Sequence, residues 1–333
     1  MKGIYMICEI GQAHEGSVAM AHAYIDAVAQ SGVNAIKFQV HIADAESSIY
    51  EPFRNPFSFP DLTRMAYWRR MEFTKEQWIG LKRHCEYYQL DFIPSTFSVA
   101  AVTMLENMGV SRFKIASGEV ENFLMLDRIA RLGKEMILSS GMSSPDELDE
   151  TIAFLRRYNC PLSILQCTTS YPTQPDQWGI NVIHEFKNRY QLPVGFSDHS
   201  GDVFACLAAA ASGADLLEFH VTFDKRMPGP DTSSSLTVDQ VFQLARGVRA
   251  IESAFQNPVD KADNAHFQKL KVQFGKSLAI NKSLEKGHVI SIEDLESKKP
   301  AGHGIEAKRF AEILGSKLRE NITQWDFLTA NHI

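Results

Sequence analysis

"PVGFSDHS" (193–200) and "DLLEFHVT" (215–222) share one pattern, an apolar start and a polar finish. Alternate residues of a β-strand face the same way, so Gly195, Ser197 and His199 line up on one side, as do Leu216, Glu218 and His220. Both stretches are short and bounded by glycine, proline or polar residues, the marks of buried parallel strands.

Six more runs of the same kind precede them: "GIYMICEIG" (3–11), "NAIKFQV" (34–40), "LDFIPSTF" (90–97), "RFKIASGE" (112–119), "EMILSSGM" (135–142) and "LSILQCTTS" (162–170). Amphipathic stretches of helix length lie between them. "SVAMAHAYIDAVAQSG" (17–32) starts on Ser17 as N-cap and stops at Gly32. "TKEQWIGLKRHCEYY" (74–88) opens with a capping box at Thr74 and Gln77, and "SPDELDETIAFLRRY" (144–158) with Ser144, then Pro145 and acids in its first turn. Strand and helix alternating eight times predicts a (β/α)8 TIM barrel. A doubly wound open sheet would need a glycine-rich fingerprint after one strand, and none is present.

The last barrel helix is expected at 237–255, so residues 1–256 read as the barrel and 257–275 as a linker. From 276 to 333 the character changes to short strand-like pieces around "LEKGHVI", a second small domain. One insertion breaks the rhythm. Residues 41–73, dense in arginine and aromatics, follow the second strand, and a loop of that length reads as a lid, a partner surface or a plain surface excursion.

Composition narrows the function. The 333 residues are 44% apolar and 22% charged with a net charge of −6. There is no basic footprint for nucleic acid or an anionic membrane. The N-terminal apolar run is too short for a signal-peptide core or a membrane span, which predicts a cytoplasmic protein. Five scattered cysteines without C-x-x-C spacing suit reduced, mostly buried thiols. Cys167 is a candidate nucleophile with no histidine partner in the motif pattern.

Almost every run ends in polar residues: Glu9; Lys37 and Gln39; Ser95 and Thr96; Ser117 and Glu119; Ser139 and Ser140; Gln166, Thr168 and Thr169; Ser197, Asp198 and His199; Glu218 and His220. In a (β/α)8 barrel these ends form the rim that carries active sites. Neighbouring strands stand about 4.8 Å apart, so His199 and His220 can meet at one divalent ion such as Mn²⁺, Zn²⁺ or Fe²⁺. Alternatively each is a core histidine bonded to a carboxylate such as Asp198 or Glu218. "ASGE" (116–119) and "LSSGMSSP" (138–145) place hydroxyls and glycine just before helix starts, where free N–H groups bind phosphate or carboxylate. Lys37 and Lys114 sit inside strands, where an unpaired ammonium is costly. They read as compensating a bound anion, as imine-forming lysines of a Schiff-base (class I) aldolase, or as partners of Glu9 or Glu119.

"CEIGQAHEGS" (8–17), "IKFQ" (36–39), "FKIASGE" (113–119), "ILSSGM" (137–142), "LQCTTSYPT" (165–173), "GFSDHS" (195–200) and "PGPDTSSS" (228–235) together resemble the sialic acid (N-acetylneuraminate) synthase family of nonulosonic acid synthases. The tail 276–333 resembles the SAF, or antifreeze-like, domain that closes such chains. The resemblance implies condensation of phosphoenolpyruvate with an open-chain N-acetylated hexosamine, N-acetylmannosamine or a diacetamido analogue. It implies a divalent metal, Mn²⁺ first with Mg²⁺ or Co²⁺ as alternatives, on His199 and His220. Lys114, Ser117, Ser139 and Ser197 match the residues against phosphoenolpyruvate. Glu15 matches a carboxylate needed for turnover, with Glu119 second, and Lys37 and Gln39 match the lysine and glutamine of the second strand. Tyr171 and Asp231 match residues that hold the sugar. The family works as a domain-swapped homodimer.

Three departures stand out. Thr169 replaces an asparagine of several members, and Lys299 in "SKKPAGHG" (297–304) stands where an acceptor-binding arginine is usual. "RMAYWRRMEFT" (64–74) resembles the spore-coat polysaccharide synthase branch, which leaves the acceptor open among modified hexosamines.

Overall fold

The computed structural model describes residues 3–53 and 61–333, so the centre of the 41–73 insertion lies outside the described residues. The chain divides into two compact units, Met1–Asn257 and Pro258–Ile333.

Eight strands build the first unit: β1 (Tyr5–Gly11), β2 (Ala35–Val40), β3 (Asp91–Thr96), β4 (Arg112–Ile115), β5 (Glu135–Ser139), β6 (Leu162–Cys167), β7 (Val194–Asp198) and β8 (Leu216–Thr222). They pair in chain order, all parallel, and β8 returns to pair with β1 from Tyr5 opposite Leu216 to Glu9 opposite His220. That closure makes the sheet the expected (β/α)8 barrel. A two-residue strand, β9 (Leu236–Thr237), extends β8.

The helices fall in the gaps: α1 (Val18–Val28) after β1; α2 (Ala43–Glu46), α3 (Arg64–Met71) and α4 (Lys75–Tyr87) after β2; α5 (Val99–Asn107), α6 (Phe123–Ala130), α7 (Pro145–Arg156), α8 (Ile180–Tyr190) and α9 (Val203–Ala211) after β3 to β7; and α10 (Val238–Gln256) after β8. The caps read from the sequence are made. The Ser17 hydroxyl accepts from Met20 N–H, and Thr74–Gln77 and Ser144–Glu147 form reciprocal boxes. "RFKIASGE" holds a shorter strand than its apolar run, because Ser117–Glu119 turns into a 3₁₀ helix after Ile115.

Inside the barrel the strands stack side chains in levels. The lowest level is dry: Ile7, Ala35, Ile93, Ile137, Leu165 and Leu216 form one buried cluster. β7 contributes Gly195 there, where a Cβ would collide with the Leu216 carbonyl and sit 2.6 Å from Leu165 Cδ2. Two residues further along each strand come Glu9, Lys37, Ser95, Lys114, Ser139, Cys167, Ser197 and Glu218, all buried. Two further still come Gly11, Gln39, Phe97, Ala116, Gly141, Thr169, His199 and His220. The period-2 rule thus converts a sequence pattern into one apolar floor under two functional tiers.

The second unit pairs β10 (Ser277–Ile280) with antiparallel β11 (Leu295–Lys298) over a core that includes Leu278, Ile280, Leu284, Ile290, Ile313, Leu318, Ile322 and Leu328. The stretch read as a linker, 257–275, is not featureless. It carries α11 (Gln268–Phe274), and the Ala301 N–H donates to the Val272 carbonyl, so it folds with the C-terminal unit.

Candidate active site at the carboxyl rim of the barrel

The middle tier holds a buried charge cluster. Lys37 Nζ donates to Glu218 Oε1 at 2.8 Å and lies 3.2 Å from Glu9 Oε2. Lys114 Nζ donates to Ser139 Oγ at 2.6 Å and to the Ile115 carbonyl at 3.2 Å, with Glu218 Oε1 at 3.6 Å. Ser197 Oγ donates to the same Glu218 oxygen at 3.3 Å. Of the three readings its place in the strand left open, Lys37 follows the ion pair with Glu9, and Glu218 makes that pair double. Its acid partners are Glu9 and Glu218, and Glu119 is not among them.

Environment sets the protonation of each group. Burial alone would push Glu218 up, but Lys114 and Lys37 outweigh it and hold the carboxyl below its ordinary range. Glu9 moves the other way, because burial raises it and Lys37 offsets only part of that. For Lys37 burial is overcome by the pull of Glu218 and Glu9, and its ammonium is strengthened. Burial wins at Lys114, whose ammonium is weakened despite Glu218.

Above Lys114 lies a candidate anion cradle. Ser117 Oγ accepts from the Gly141 N–H at 3.1 Å. A Cβ at Gly141 would come 2.6 Å from Ser117 Oγ, 2.9 Å from Cys167 Sγ, and closer still to Thr169 Oγ1. The glycine keeps a concavity open. Ser117, Cys167 and Thr169 line a cavity of about 150 Å³ together with Lys37, Gln39, Ser95, Lys114, Ser139, Tyr171, Ser197, His199 and Glu218. Ser95 Oγ has no hydrogen-bond partner among the described residues and is buried there. The start of α7, expected to offer free N–H groups, is closed by its own Ser144–Glu147 box and flanked by Asp146. Serine hydroxyls, the Gly141 backbone and Lys114 make the cradle instead. A larger cavity of about 500 Å³ opens at the opposite mouth beside Gly3, Ile4 and Asp215. Chemistry in this fold belongs to the carboxyl rim, where the polar tiers lie.

The two histidines face one another at the top tier, ring centroids 5.2 Å apart. Neither is bonded to Asp198 or Glu218. Asp198 accepts from Ser200, and Glu218 is taken by Lys37 and Ser197. His199 Nδ1 lies 3.1 Å from the Thr168 carbonyl, which can only accept, so Nδ1 carries the proton and Nε2 keeps its lone pair. The Tyr171 hydroxyl meets that Nε2 at 3.1 Å. His220 is held neutral by burial, pushed down to about 4 although Asp231 pulls upward, with Asp231 Oδ2 3.9 Å from its Nδ1. Cys167 has the histidine partner that its motif did not reveal, since its Sγ is 3.9 Å from His199 Nδ1. Burial raises the thiol, but His199 more than reverses this. Among the described residues no three His, Cys, Asp or Glu side chains are grouped to hold a metal. Burial would lower His199, but Cys167 beside it more than offsets this; two imidazoles with ring centroids 5.2 Å apart fit a divalent ion that completes its shell with water or substrate oxygens.

The remaining candidates are spread. Thr169 and Tyr171 line the cavity, and Asp231 stands beside His220. Glu119 sits in the 3₁₀ turn with Asn122 Nδ2 donating to it at 2.7 Å, and burial raises its carboxyl. Glu15 is on the β1–α1 turn at φ +50°, paired with Arg70. Lys299 belongs to the C-terminal unit, its Nζ 5.0 Å from the Phe274 ring centroid. Glu9 and Glu218, the acids that organise both lysines, were visible as strand-end carboxylates but not as partners of particular cations.

A closed barrel with an apolar floor, a buried tier of lysines, glutamates and serines above it and a pair of imidazoles at its carboxyl rim has the make-up of an enzyme of the barrel-synthase class. Residues 24–260 match the model of the NeuB family and residues 275–333 that of the SAF domain, and the chain belongs to the NeuB family. It is an enzyme of the sialic acid synthase kind. Curated relatives include the N,N'-diacetyllegionaminic acid synthase of Campylobacter jejuni, 31% identical over 96% of this chain and 97% of that one. The human N-acetylneuraminate-9-phosphate synthase is 30% identical over 98% of this chain and 93% of that one. Among solved structures, the sialic acid synthetase of Leptospira borgpetersenii in complex with citrate gives a TM-score of 0.71 at 28% identity, covering 81% of this chain and 90% of the other. Among the described residues no helix is long and apolar enough to cross a membrane.

Proposed function

We propose that this enzyme condenses phosphoenolpyruvate with an open-chain N-acetylated hexosamine to give a nonulosonic acid and phosphate. The observation that carries the reading is that Lys114, Ser117 and Ser139 line one cavity with His199, whose ring centroid is 5.2 Å from that of His220.

Lys114 and the serine hydroxyls bind the phosphate and carboxylate, and fixed N–H and O–H donors keep them in place as charge moves. Bond formation joins C3 of phosphoenolpyruvate to the C1 aldehyde of the sugar. Water then adds at C2, and the hemiketal phosphate breaks its C–O bond to release phosphate. A divalent cation held by His199 and His220, Mn²⁺ in first place, supplies Lewis-acid polarisation of the sugar carbonyl when bound. Glu15 accepts the proton of the attacking water, with Glu119 the second candidate. Tyr171 and Asp231, flanking the histidines, hold the sugar. Lys37 keeps the middle tier neutral. Lys299 reaching an acceptor and a domain-swapped homodimer belong to the same reading, which rests there on the family resemblance; light scattering tests the dimer.

The experiment is phosphate release from phosphoenolpyruvate and Mn²⁺ over a panel of 2-acetamido and 2,4-diacetamido sugars. Release with at least one sugar is expected, and none with any sugar refutes the proposal. The weakened ammonium of Lys114 also suits an imine-forming aldolase. Borohydride with pyruvate decides, since the synthase forms no covalent adduct.

A further inference from the structure

The insertion after β2 reaches the site through two polar lines from α3. Arg70 Nη1 donates to Glu15 Oε2 and to the Glu15 carbonyl, each at 3.0 Å. Its Nε and Nη2 donate to Asp61 Oδ2 at 2.9 and 2.8 Å. A planar guanidinium engaged on both edges fixes the position of whatever it holds. Glu15 needs fixing, because it lies in the left-handed region at φ +50°. The next residue, Gly16, is also left-handed, and a Cβ there would collide with the Arg70 carbonyl. Helix and turn therefore meet backbone to side chain with no spare room.

One turn earlier on the same helix, the fully buried Tyr67 donates from its hydroxyl to Gln12 Oε1. Gln12 Nε2 donates to Gln39 Oε1 at 3.0 Å, and His41 Nε2 approaches the same oxygen at 3.3 Å. With its oxygen engaged, Gln39 lines the cavity with its NH₂ left as the donor it can offer a hydroxyl or acyl oxygen. The described part of the insertion is anchored rather than loose, since Tyr67, Trp68 and Met71 pack with Ala43 in a cluster of their own.

We propose that α3 is a brace, in which Arg70 is a positioning residue for Glu15 and Tyr67, through Gln12, a positioning residue for Gln39. The kinetic part of this rests on the synthase reading, and the structural part does not.

The test uses the full chain with phosphoenolpyruvate, Mn²⁺ and any sugar the parent turns over. Arg70→Met is expected to lower kcat about tenfold or more while the KM for phosphoenolpyruvate stays within about twofold. Arg70→Lys is expected to recover little of the loss, because one ammonium cannot serve Asp61 and two Glu15 oxygens together. Hydrogen exchange reads the brace without turnover. The amides of Glu15 and Ser17, which donate to the Gln12 and His14 carbonyls, should exchange about tenfold faster in Arg70→Met, with β1 and β8 unchanged. Should Arg70→Met lose its barrel, Tyr67→Phe carries the test. It removes only a hydroxyl and should raise the KM for the sugar about threefold or more, with that for phosphoenolpyruvate unmoved. An unchanged kcat in Arg70→Met, an unchanged exchange rate at 15–17, or an unchanged sugar KM in Tyr67→Phe overturns the brace. A parent that releases no phosphate with any sugar refutes the synthase reading, and the exchange measurement still decides the brace.

Discussion

Replacing Gly141 by alanine adds one methyl group at the mouth of the anion cradle. Gly141 does not occupy the left-handed region, so the backbone accepts alanine and the effect is one of space alone. The new Cβ would stand 2.6 Å from Ser117 Oγ and 2.9 Å from Cys167 Sγ, with Thr169 Oγ1 nearer still. All three side chains line the cavity of about 150 Å³, so each must turn into the space reserved for substrate or push the β5–α7 loop outward. Overpacking of this kind costs about 1–3 kcal/mol, and each ~1.4 kcal/mol is a factor of ten in affinity. Where the crowding is relieved only at the expense of the bound anion, the Kd for phosphoenolpyruvate rises by about tenfold to a hundredfold. Titration calorimetry of phosphoenolpyruvate into Gly141→Ala measures the Kd, and the thermal midpoint reports how much of the cost falls on folding. A Kd within about twofold of the parent with an unchanged midpoint would refute the placement of the cradle.

The two strand lysines should separate. Lys37→Met leaves Glu9 and Glu218 facing each other without their shared cation and should cost about 3–5 kcal/mol of stability in urea; Lys114→Met leaves Glu218 still held by Lys37 and should chiefly abolish phosphoenolpyruvate binding, and the reverse ordering would refute the assignment. His199→Ala and His220→Ala should each lose bound metal by elemental analysis and all metal-dependent turnover; full activity in either removes the metal site. Acid should weaken the C-terminal unit through Asp294. Burial would raise this carboxyl, but Lys282 at 2.7 Å, His288 at 2.9 Å and Ser291 hold it well below the ordinary range. Its contribution is therefore full above the unfolded value of about 3.9 and is lost as pH falls toward the depressed folded value. Hydrogen exchange in β10 should show the parent's advantage over Asp294→Asn shrinking between about pH 5 and pH 2; an advantage that does not change with pH contradicts the ion-pair account.

The barrel was legible because parallel strands buried on both faces leave a strong local signal, and the polar endings placed the rim. His199 and His220 were legible as a pair because β7 and β8 are neighbours both in sequence and in space. What stayed hidden depends on closure. Glu9 and Glu218 meet Lys37 only because β8 returns to β1 and β1 lies beside β2. No local pattern says which cation an acid will face. Of the two helix starts read as anion-binding, that of α7 has its donors engaged by the same capping box that predicts the helix. Gly141 was quoted within its motif, yet its role as the open side of the cradle appears only when β4, β5 and β6 stand side by side. Arg70 and Tyr67 carried no signal beyond the arginine and aromatic density of their segment.

The charge balance of the middle tier bears on how such a site works. Two lysines face two glutamates in the middle tier, so its formal charges cancel. That neutrality lets the tier stay buried without large cost. Under the proposed reading it also means that a doubly or triply anionic substrate does not meet a pool of surplus positive charge. Its charge must then be met by dipoles and by Lys114, whose ammonium burial has loosened. Under the proposed reading the rest of the compensation comes from the cation between the imidazoles, which enters above the floor and not within it. The arrangement separates two demands that a single cluster of lysines would confuse. Lys37 with Glu9 and Glu218 keeps the fold stable with the site empty, while Lys114, the serines and the histidines respond to what binds. A protein of net charge −6 can then recognise an anion with positive charge that is local, oriented and largely supplied on binding.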